Sequence, residues 1–444
     1  MSGFTESDKS ELRKVLSPLM LWGLGVGYVI SGMYFGWNLG LKEGGTLGLA
    51  ISTLLIIVMY TCFSLSYAEL ACAIPKAGGV FDYAGKAYGK DMAFLAGMSQ
   101  IIEFVFAPPA IAFGIGAYFN LAFPDIPVLG TALTVYVLFT LLNIYGIKAA
   151  ASFELIITVV AVAELLLFAG VTLPEFKLEN IRANSFPNGW AGVFASVPFA
   201  IWFFLGIEGL ANVAEEAKNP QRDIQKSFVL VLGTLVFLCI LVFFSATGVG
   251  GWEKIVFLNG VDGDTSDSPL PLAMKQVVGE GNWLFHLLLT VGLFGLVASF
   301  HGLILASGRS TYEFGKVGFA PRWLGSVHKK FKTPANALIF NSCTGVIALF
   351  TNKTAEIITI AVIGALSLYI IAMFSVLKLR STHPEMERPY KVPFYPYLSL
   401  IALVLAVFAM AAVIFFNHEL FFIYLGILIV SYSVFYIFYK KNIT

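Results

Sequence analysis

Charge is the scarcest commodity in this sequence. Asp, Glu, Lys and Arg make up 12% of the 444 residues, while 58% are hydrophobic; soluble domains carry about 25% charge. Too little polar surface is left to clothe a water-exposed protein, and the net charge of +1 includes no basic arm for nucleic acid. Cysteine is rare as well. Cys62, Cys72, Cys239 and Cys343 stand far apart, in or beside apolar stretches, and read as small packing residues rather than a disulfide framework or a metal site. His286, His301, His328, His383 and His418 show no metal-ligand spacing. No GxSxG, HExxH or GxxxxGK[ST] occurs, so an integral membrane enzyme has no motif to rest on, and neither metal nor cofactor is expected.

What the chain does have is apolar length, with a mean hydropathy of +0.82. Crossing a hydrocarbon core of ~30 Å takes about 20 mostly apolar residues in a helix, and runs of that length recur throughout. About twelve spans are expected, near residues 16–41, 46–70, 92–119, 127–146, 150–171, 191–214, 227–248, 283–307, 335–351, 355–377, 396–416 and 419–438. The first lacks a cleavage pattern and is read as a retained helix. With the N-terminus in the cytoplasm, the leader and alternate loops hold about 22 of the 28 basic residues, which puts both termini on the cytoplasmic side.

The first span contains GVGYVISGMYFGWN, unusually rich in glycine for a membrane helix. Gly32, Gly36 and Gly40 either form a small-residue stripe for close helix packing, or mark a break around Ile30, Ser31, Gly32 and Met33 whose freed backbone groups hold a polar ligand. A matching interruption occurs in the sixth span, FFLGIEGLANVAEEAKNP, where Gly206, Glu208 and Gly209 fall inside apolar sequence. A carboxylate at that depth costs several kcal/mol unless it is partnered or solvated. Spans one and six occupy corresponding places in two five-helix halves. Five being odd, the halves would enter the membrane from opposite sides. The expected division is a leader at 1–15, a first repeat at 16–171, an inverted second repeat at 191–377, two appended helices at 396–438 and a tail at 439–444. The loops IPKAGGVFDYAGKAYG and GRSTYEFGKVGFAPRWL are either plain connections or an inner gate.

Together with RPYKVPFYPYL, these segments resemble the amino acid–polyamine–organocation superfamily of secondary transporters over essentially the whole chain. GYVISGMYFGWNLGL and IIEFVFAPPAIAFGIGAYF are most similar to bacterial ethanolamine permeases. The resemblance implies an all-α fold of five plus five inverted helices with two appended, working by alternating access. It places substrate groups at Ile30–Met33, at Trp202, and at an unwound turn of Leu205, Gly206, Ile207 and Glu208. One departure stands out. Where proton-coupled relatives often carry a lysine in the fifth helix, this chain has Ala161 in TVVAVAEL, with Glu164 three residues later. The coupling ion, proton or sodium, therefore stays open.

Charges inside the spans point to the substrate. Glu103 lies in AGMSQIIEFVFAPPA, on a helical stripe with Gly97, Gln100, Ala107 and Ala110. It is either a structural partner for another helix's freed N–H groups or the counter-ion of a protonated amine. Glu208 has the same two readings. Glu154 reads as bland, and Glu164 as a possible proton carrier. Pro108 and Pro109 interrupt regular helix beyond Glu103. Ser299 completes either a cation site with carbonyls of the first helix or a hydrogen bond between helices. His301 is a candidate titrating group whose structural reading is the stronger. Tyr28, Tyr34, Phe35, Trp37, Trp202, Phe203 and Phe204 cluster around the breaks, and aromatic faces add about 0.5–2 kcal/mol each toward binding a cation. No Lys or Arg falls mid-span. The expectation is a permease of a bacterial inner membrane for a small cationic amine, ethanolamine first, with an amino acid or polyamine transporter as the alternative and a receptor as a remote one. Oligomeric state is left open.

Overall fold

The computed structural model describes residues 14–145, 147–258 and 263–440. The chain opens with α1 (Pro18–Val29), α2 (Ser31–Tyr34) and α3 (Trp37–Ala73), then α4 (Val80–Tyr88), α5 (Lys90–Ala122), α6 (Val128–Tyr145) and α7 (Ile147–Thr172). Next come α8 (Leu178–Arg182), α9 (Gly189–Ala195), α10 (Val197–Trp202), a 3₁₀ stretch Ile207–Glu216, and α11 (Pro220–Thr247). The remainder is α12 (Glu253–Val256), α13 (Pro269–Val278), α14 (Trp283–Lys316), α15 (Ala335–Leu349), α16 (Thr354–Thr382), α17 (Tyr397–Phe416) and α18 (His418–Val434). Among the described residues there is no extended strand, only isolated bridges such as Leu16 to Ala217. Among the described residues ten helices are long and apolar enough to cross a membrane, and the shorter apolar helices α1 and α15 bring these to the expected twelve crossings.

Burial sorts these helices into a centre and a rim. In the most apolar window of 197–216 every residue is buried, and in α5 83% are; in the window of the last helix only 11% are. A helix apolar all round is either wholly inside the protein or facing lipid. The sixth span and α5 therefore form the middle of the bundle, with α18 on the lipid side.

Four boundaries differ from the sequence reading, each for a visible reason. The first span stays helical through Ile30–Met33. Ile30 has right-handed helical angles (φ −60°, ψ −23°), and the break falls later, at extended Phe35 (φ −161°) and left-handed Gly36 (φ +84°). In the sixth span the left-handed residue is Gly206 (φ +97°), so Ile207 and Glu208 already belong to the 3₁₀ stretch. Pro108 and Pro109 do not interrupt α5, which runs through both; only two backbone donors are lost, inside a helix clamped by its neighbours. Finally, α14 continues to Lys316, through GRSTYEFGK, because this turn is buried on all sides at Gly308, Arg309, Ser310 and Thr311 and again at Phe314 and Gly315, and Arg309 finds a buried partner in Glu216. Three of the cysteines are buried and unpaired, as packing residues are; Cys343 is unpaired but exposed.

Candidate substrate site between two broken helices

The breaks in the first and sixth spans cross each other. Gly32 lies so close to the Trp202 carbonyl and the Phe203 backbone that a side chain there would collide with main chain. Gly40 is similarly confined, an added Cβ standing 2.9 Å from Phe199 Cβ. The glycine-rich stretch thus serves both uses: Gly32 and Gly40 permit close packing, and Gly36 supplies the left-handed turn. Around the break, Trp202 Nε1 donates to Phe35 O at 3.1 Å, and Gly36 N donates to Asn38 Oδ1 at 3.0 Å. Phe35 meets Trp202 edge to face at 5.6 Å, while Trp37 stacks on Phe203 at 5.5 Å. The polar end of Trp202 is therefore committed to the broken helix.

Ser299 of α14 holds open an earlier turn. Its hydroxyl donates to Gly27 O (2.6 Å) and accepts from Ser31 N (2.8 Å), standing in the place of the direct bond between those two backbone groups. A side chain inserted in the ladder is a recognised cause of helix distortion. The bond between helices, one of the two readings of Ser299, is what the structure contains.

Two carboxyl groups meet beside the second break. Glu103 on α5 and Glu208 after Gly206 are both fully buried, and Glu103 lies against the Glu208 carboxyl and the Gly206 backbone. Tyr369 of α16 donates to Glu208 Oε2 at 2.8 Å and sits 3.0 Å from the Tyr60 hydroxyl. Both Glu103 oxygens and Glu208 Oε1 are without a hydrogen-bond donor. The backbone closes tightly here, since a Cβ on Gly364 would stand 2.8 Å from Ser99 O and 3.0 Å from Glu103 N. Two acids in a low-dielectric interior cannot both ionise unless a cation sits between them; without one, the pair keeps a shared proton.

Two further buried acids have defined partners. Glu164 accepts from the Tyr34 hydroxyl at 2.5 Å, and Tyr118 donates to Tyr34 O at 3.0 Å. This ties the segment just before the break to α7 and α5. Glu154, also on α7, pairs with His301 Nδ1 at 2.8 Å, with neither side chain exposed. Tyr28 packs against Gly209 and Gly302, its hydroxyl lacking a partner.

Both ends of the site are shut. On the face carrying Lys14, Val15 N and Leu16 N donate to Glu216 O at 3.0 and 2.9 Å, and Arg309 pairs with Glu216 at 2.6 Å. Beneath them Asn212 donates to Ala77 O and accepts from Gln100 Nε2, both at 2.8 Å, locking the IPKAGG loop over the site. On the opposite face Asn38 Nδ2 donates to Ser266 O at 2.7 Å. Asp267 there accepts from Thr354 Oγ1 at 2.8 Å.

Two broken helices crossing around buried carboxyls, closed at both faces, are the architecture of a carrier, and comparison with known proteins agrees. Residues 16–436 match the family model described as amino acid permease. The chain belongs to the amino acid permease family. It is 27% identical to a branched-chain amino acid permease of Bacillus subtilis over 91% of this chain and 89% of that protein. It is 28% identical to a methylthioribose transporter of the same organism, covering 89% of this chain and 88% of the relative. A low-affinity putrescine importer of Escherichia coli is 25% identical, over 84% of this chain and 82% of the importer. The protein is thus a multi-pass membrane transporter of the amino acid–polyamine–organocation superfamily and not an enzyme.

In this permease the structure brings Ser31, Gly32, Met33, Trp202, Leu205, Gly206, Ile207, Glu208 and Glu103 into one buried region, all at most 4% exposed where a side chain is measured. Glu164 and Glu154 both lie on α7, the latter paired with His301 of α14. Sequence reasoning missed Tyr60 and Tyr369, which supply the hydroxyls around Glu208. With 18 tyrosines in the chain, nothing in their local sequence distinguishes them. Glu154, read as bland, turns out to hold a histidine. Its only local signal was a carboxylate in an apolar span.

Proposed function

We propose that this permease carries a small organic cation, ethanolamine first among the candidates, across a bacterial plasma membrane by alternating access, with both termini in the cytoplasm and the two five-helix halves working as inverted repeats. The observation that carries this reading is the Glu103–Glu208 pair, two buried acids with three oxygens lacking donors. An ammonium group brings the positive charge and several N–H donors that such a site lacks. Tyr60, Phe204 and Tyr369, with ring centroids 5.2 and 5.5 Å from Tyr60, supply the aromatic wall. The hydroxyl of the substrate would bond backbone groups near Ile30–Met33 or Leu205–Glu208.

A second feature argues against a carboxylated substrate. Backbone N–H groups at a broken helix are the usual anchor for a carboxylate, yet here the N–H groups of Ser31, Met33, Phe35 and Gly36 already bond to Ser299 Oγ, Ile30 O, Ser31 O and Asn38 Oδ1. Amino acid transport, which the relatives' names favour, needs those bonds to rearrange on binding. The putrescine importer among the relatives supports a cationic amine as the substrate.

The test is counterflow. Proteoliposomes holding only this protein, loaded with unlabelled ethanolamine, should accumulate labelled ethanolamine. Serine, which adds an α-carboxylate to the same skeleton, should compete at least tenfold less well. If leucine or serine exchanges and ethanolamine does not, the amine reading falls and an amino acid substrate replaces it.

A further inference from the structure

Glu154 and His301 take no part in the amine site, yet they form a complete acid–base pair inside the membrane bundle. Nδ1 of His301 meets Glu154 Oε2, while His301 Nε2 and Glu154 Oε1 have no partner although wholly buried. Glu154 Oε1 points at Gly27, where any side chain would strike it, and a Cβ on Gly302 would stand 3.3 Å away. The pair is walled by Phe153 of α7 and Phe139 of α6, whose rings lie 5.7 and 6.1 Å from the imidazole, and Asn143 Nδ2 donates to the His301 carbonyl at 3.3 Å. Among the described side chains, the titratable or charged groups that face it are the Tyr28 hydroxyl on α1 and, beyond that ring, the Arg309–Glu216 ion pair of α14 and the 3₁₀ stretch. From α6 come the Phe139 ring and the Asn143 amide, with the Tyr136 hydroxyl on the same helix and its ring against Phe300.

On its open side the pair is covered by α1. Gly27 belongs to that helix, Thr158 one turn along α7 donates to Gly23 O at 3.1 Å, and Ser299 bridges Gly27 to Ser31. The start of α1 is in turn held to Glu216 by Val15 and Leu16. Any movement that frees α1 from α7 uncovers Glu154 and loosens the Ser299 bridge to the broken helix together.

We propose that His301 and Glu154 form a proton-binding site, distinct from the amine site, which exchanges its proton with water only when α1 moves off α7. With one proton, on Nδ1, the pair carries one negative charge. A second proton adds by forming an N–H bond at Nε2 and leaves the pair neutral overall; its release breaks that bond and passes the proton to water. Burial makes these two states unequal in energy, and α1 decides when the pair is buried, so movement of α1 and movement of a proton are linked. The link to amine transport rests on the function proposed above.

The test uses the full chain in liposomes with a trapped fluorescent pH indicator, and labelled ethanolamine, putrescine, serine and leucine as separate probes. Wild type should accumulate its probe at least tenfold more with a transmembrane pH gradient than without, and the indicator should report proton movement with it. H301Q and E154Q should keep probe-for-probe exchange within about threefold while losing both the gradient response and the proton signal. A wild type indifferent to the gradient, or variants that still respond to it, would overturn the site. If both variants fail to fold, wild type and Glu164→Gln decide: wild-type uptake that moves no proton refutes the proposal, and wild-type uptake that moves one supports it if Glu164→Gln still moves the proton and overturns it if that variant does not. If none of the four probes moves, the proposed substrate class has failed, and the pair is read from thermal unfolding against pH between 5 and 9. A transition present in wild type and missing in H301Q supports the site, while superimposable profiles refute it.

Discussion

Glu69 and Glu103 are both buried carboxylates on central helices, and they could hardly be treated more differently. Glu69, on α3, receives two donors from Arg380 at 2.7 Å each, a contact from Arg388 at 3.3 Å and the Val392 N–H at 2.7 Å. Arg380 also lies over the Tyr395 ring, 4.4 Å from its centre. This is what a structural carboxylate looks like when a fold means to keep it: forked charge-assisted bonds with the remaining lone pairs occupied. Glu103 has another acid for a neighbour and no aligned donor on either oxygen. A fold that can satisfy Glu69 so fully leaves Glu103 and Glu208 open, and that contrast is the strongest internal argument for an exchangeable cation between them.

The comparison breaks most clearly through stability. Glu69→Ala strands the Arg380 guanidinium in a largely buried site, while Arg388 keeps its bonds to backbone carbonyls, and removing one partner of such a pair costs about 3–5 kcal/mol; thermal unfolding in detergent should fall sharply. Glu103→Gln should do the opposite, leaving the unfolding temperature unchanged or raised because it removes an acid from an acid pair, while amine uptake drops on the order of 100-fold, as loss of a charged hydrogen bond worth ~2–3 kcal/mol predicts. If Glu103→Gln destabilises as Glu69→Ala does and exchange survives, the two carboxylates are alike and the counter-ion must be sought elsewhere.

Smaller effects sharpen the picture. Gly206→Ala puts a Cβ on a residue at φ +97°, only 3.3 Å from Leu303, at a cost of about 1–2 kcal/mol; substrate affinity should weaken with the turn. Tyr369→Phe removes the donor to Glu208, worth about 1 kcal/mol, and should raise the KM for uptake about fivefold with little change in unfolding temperature. The smallest effect concerns Asp82 on α4, outside the spans, whose carboxyl is pushed up from 3.8 to about 6 by burial, with Lys76 pulling the other way. Between pH 6 and 4 the folded chain binds this proton before the unfolded chain does. Its contribution therefore favours folding more as pH falls through that window. Asp82→Asn should flatten this part of the pH profile of thermal unfolding.

Much of the architecture was readable from hydropathy because a bilayer admits few solutions. The twelve crossings and the unusual status of spans one and six came from run length and from Gly206–Glu208 inside apolar sequence. The exact turn that breaks was not readable. Ile30–Met33 has the right composition, but Ser299 distorts the helix there without unwinding it, and the left-handed residue is Gly36. Trp202 was expected among the substrate contacts; that its N–H also bonds the Phe35 carbonyl of the broken helix was not readable.

The sequence by itself determined that this chain lives in a membrane, that its two glycine-interrupted spans are special and that acids sit at depth without mid-span Lys or Arg, because the cost of polar groups in hydrocarbon acts on local composition. Only the tertiary structure decided which acids are alike. Glu69, Glu103, Glu154 and Glu164 are equivalent as letters in apolar runs. Their differences arise from residues 130 to more than 300 positions away in several cases, as in Tyr34 with Glu164 and Arg380 with Glu69. A carboxylate's role is set by what reaches its oxygens, and that is a property of helix packing rather than of the helix that carries it.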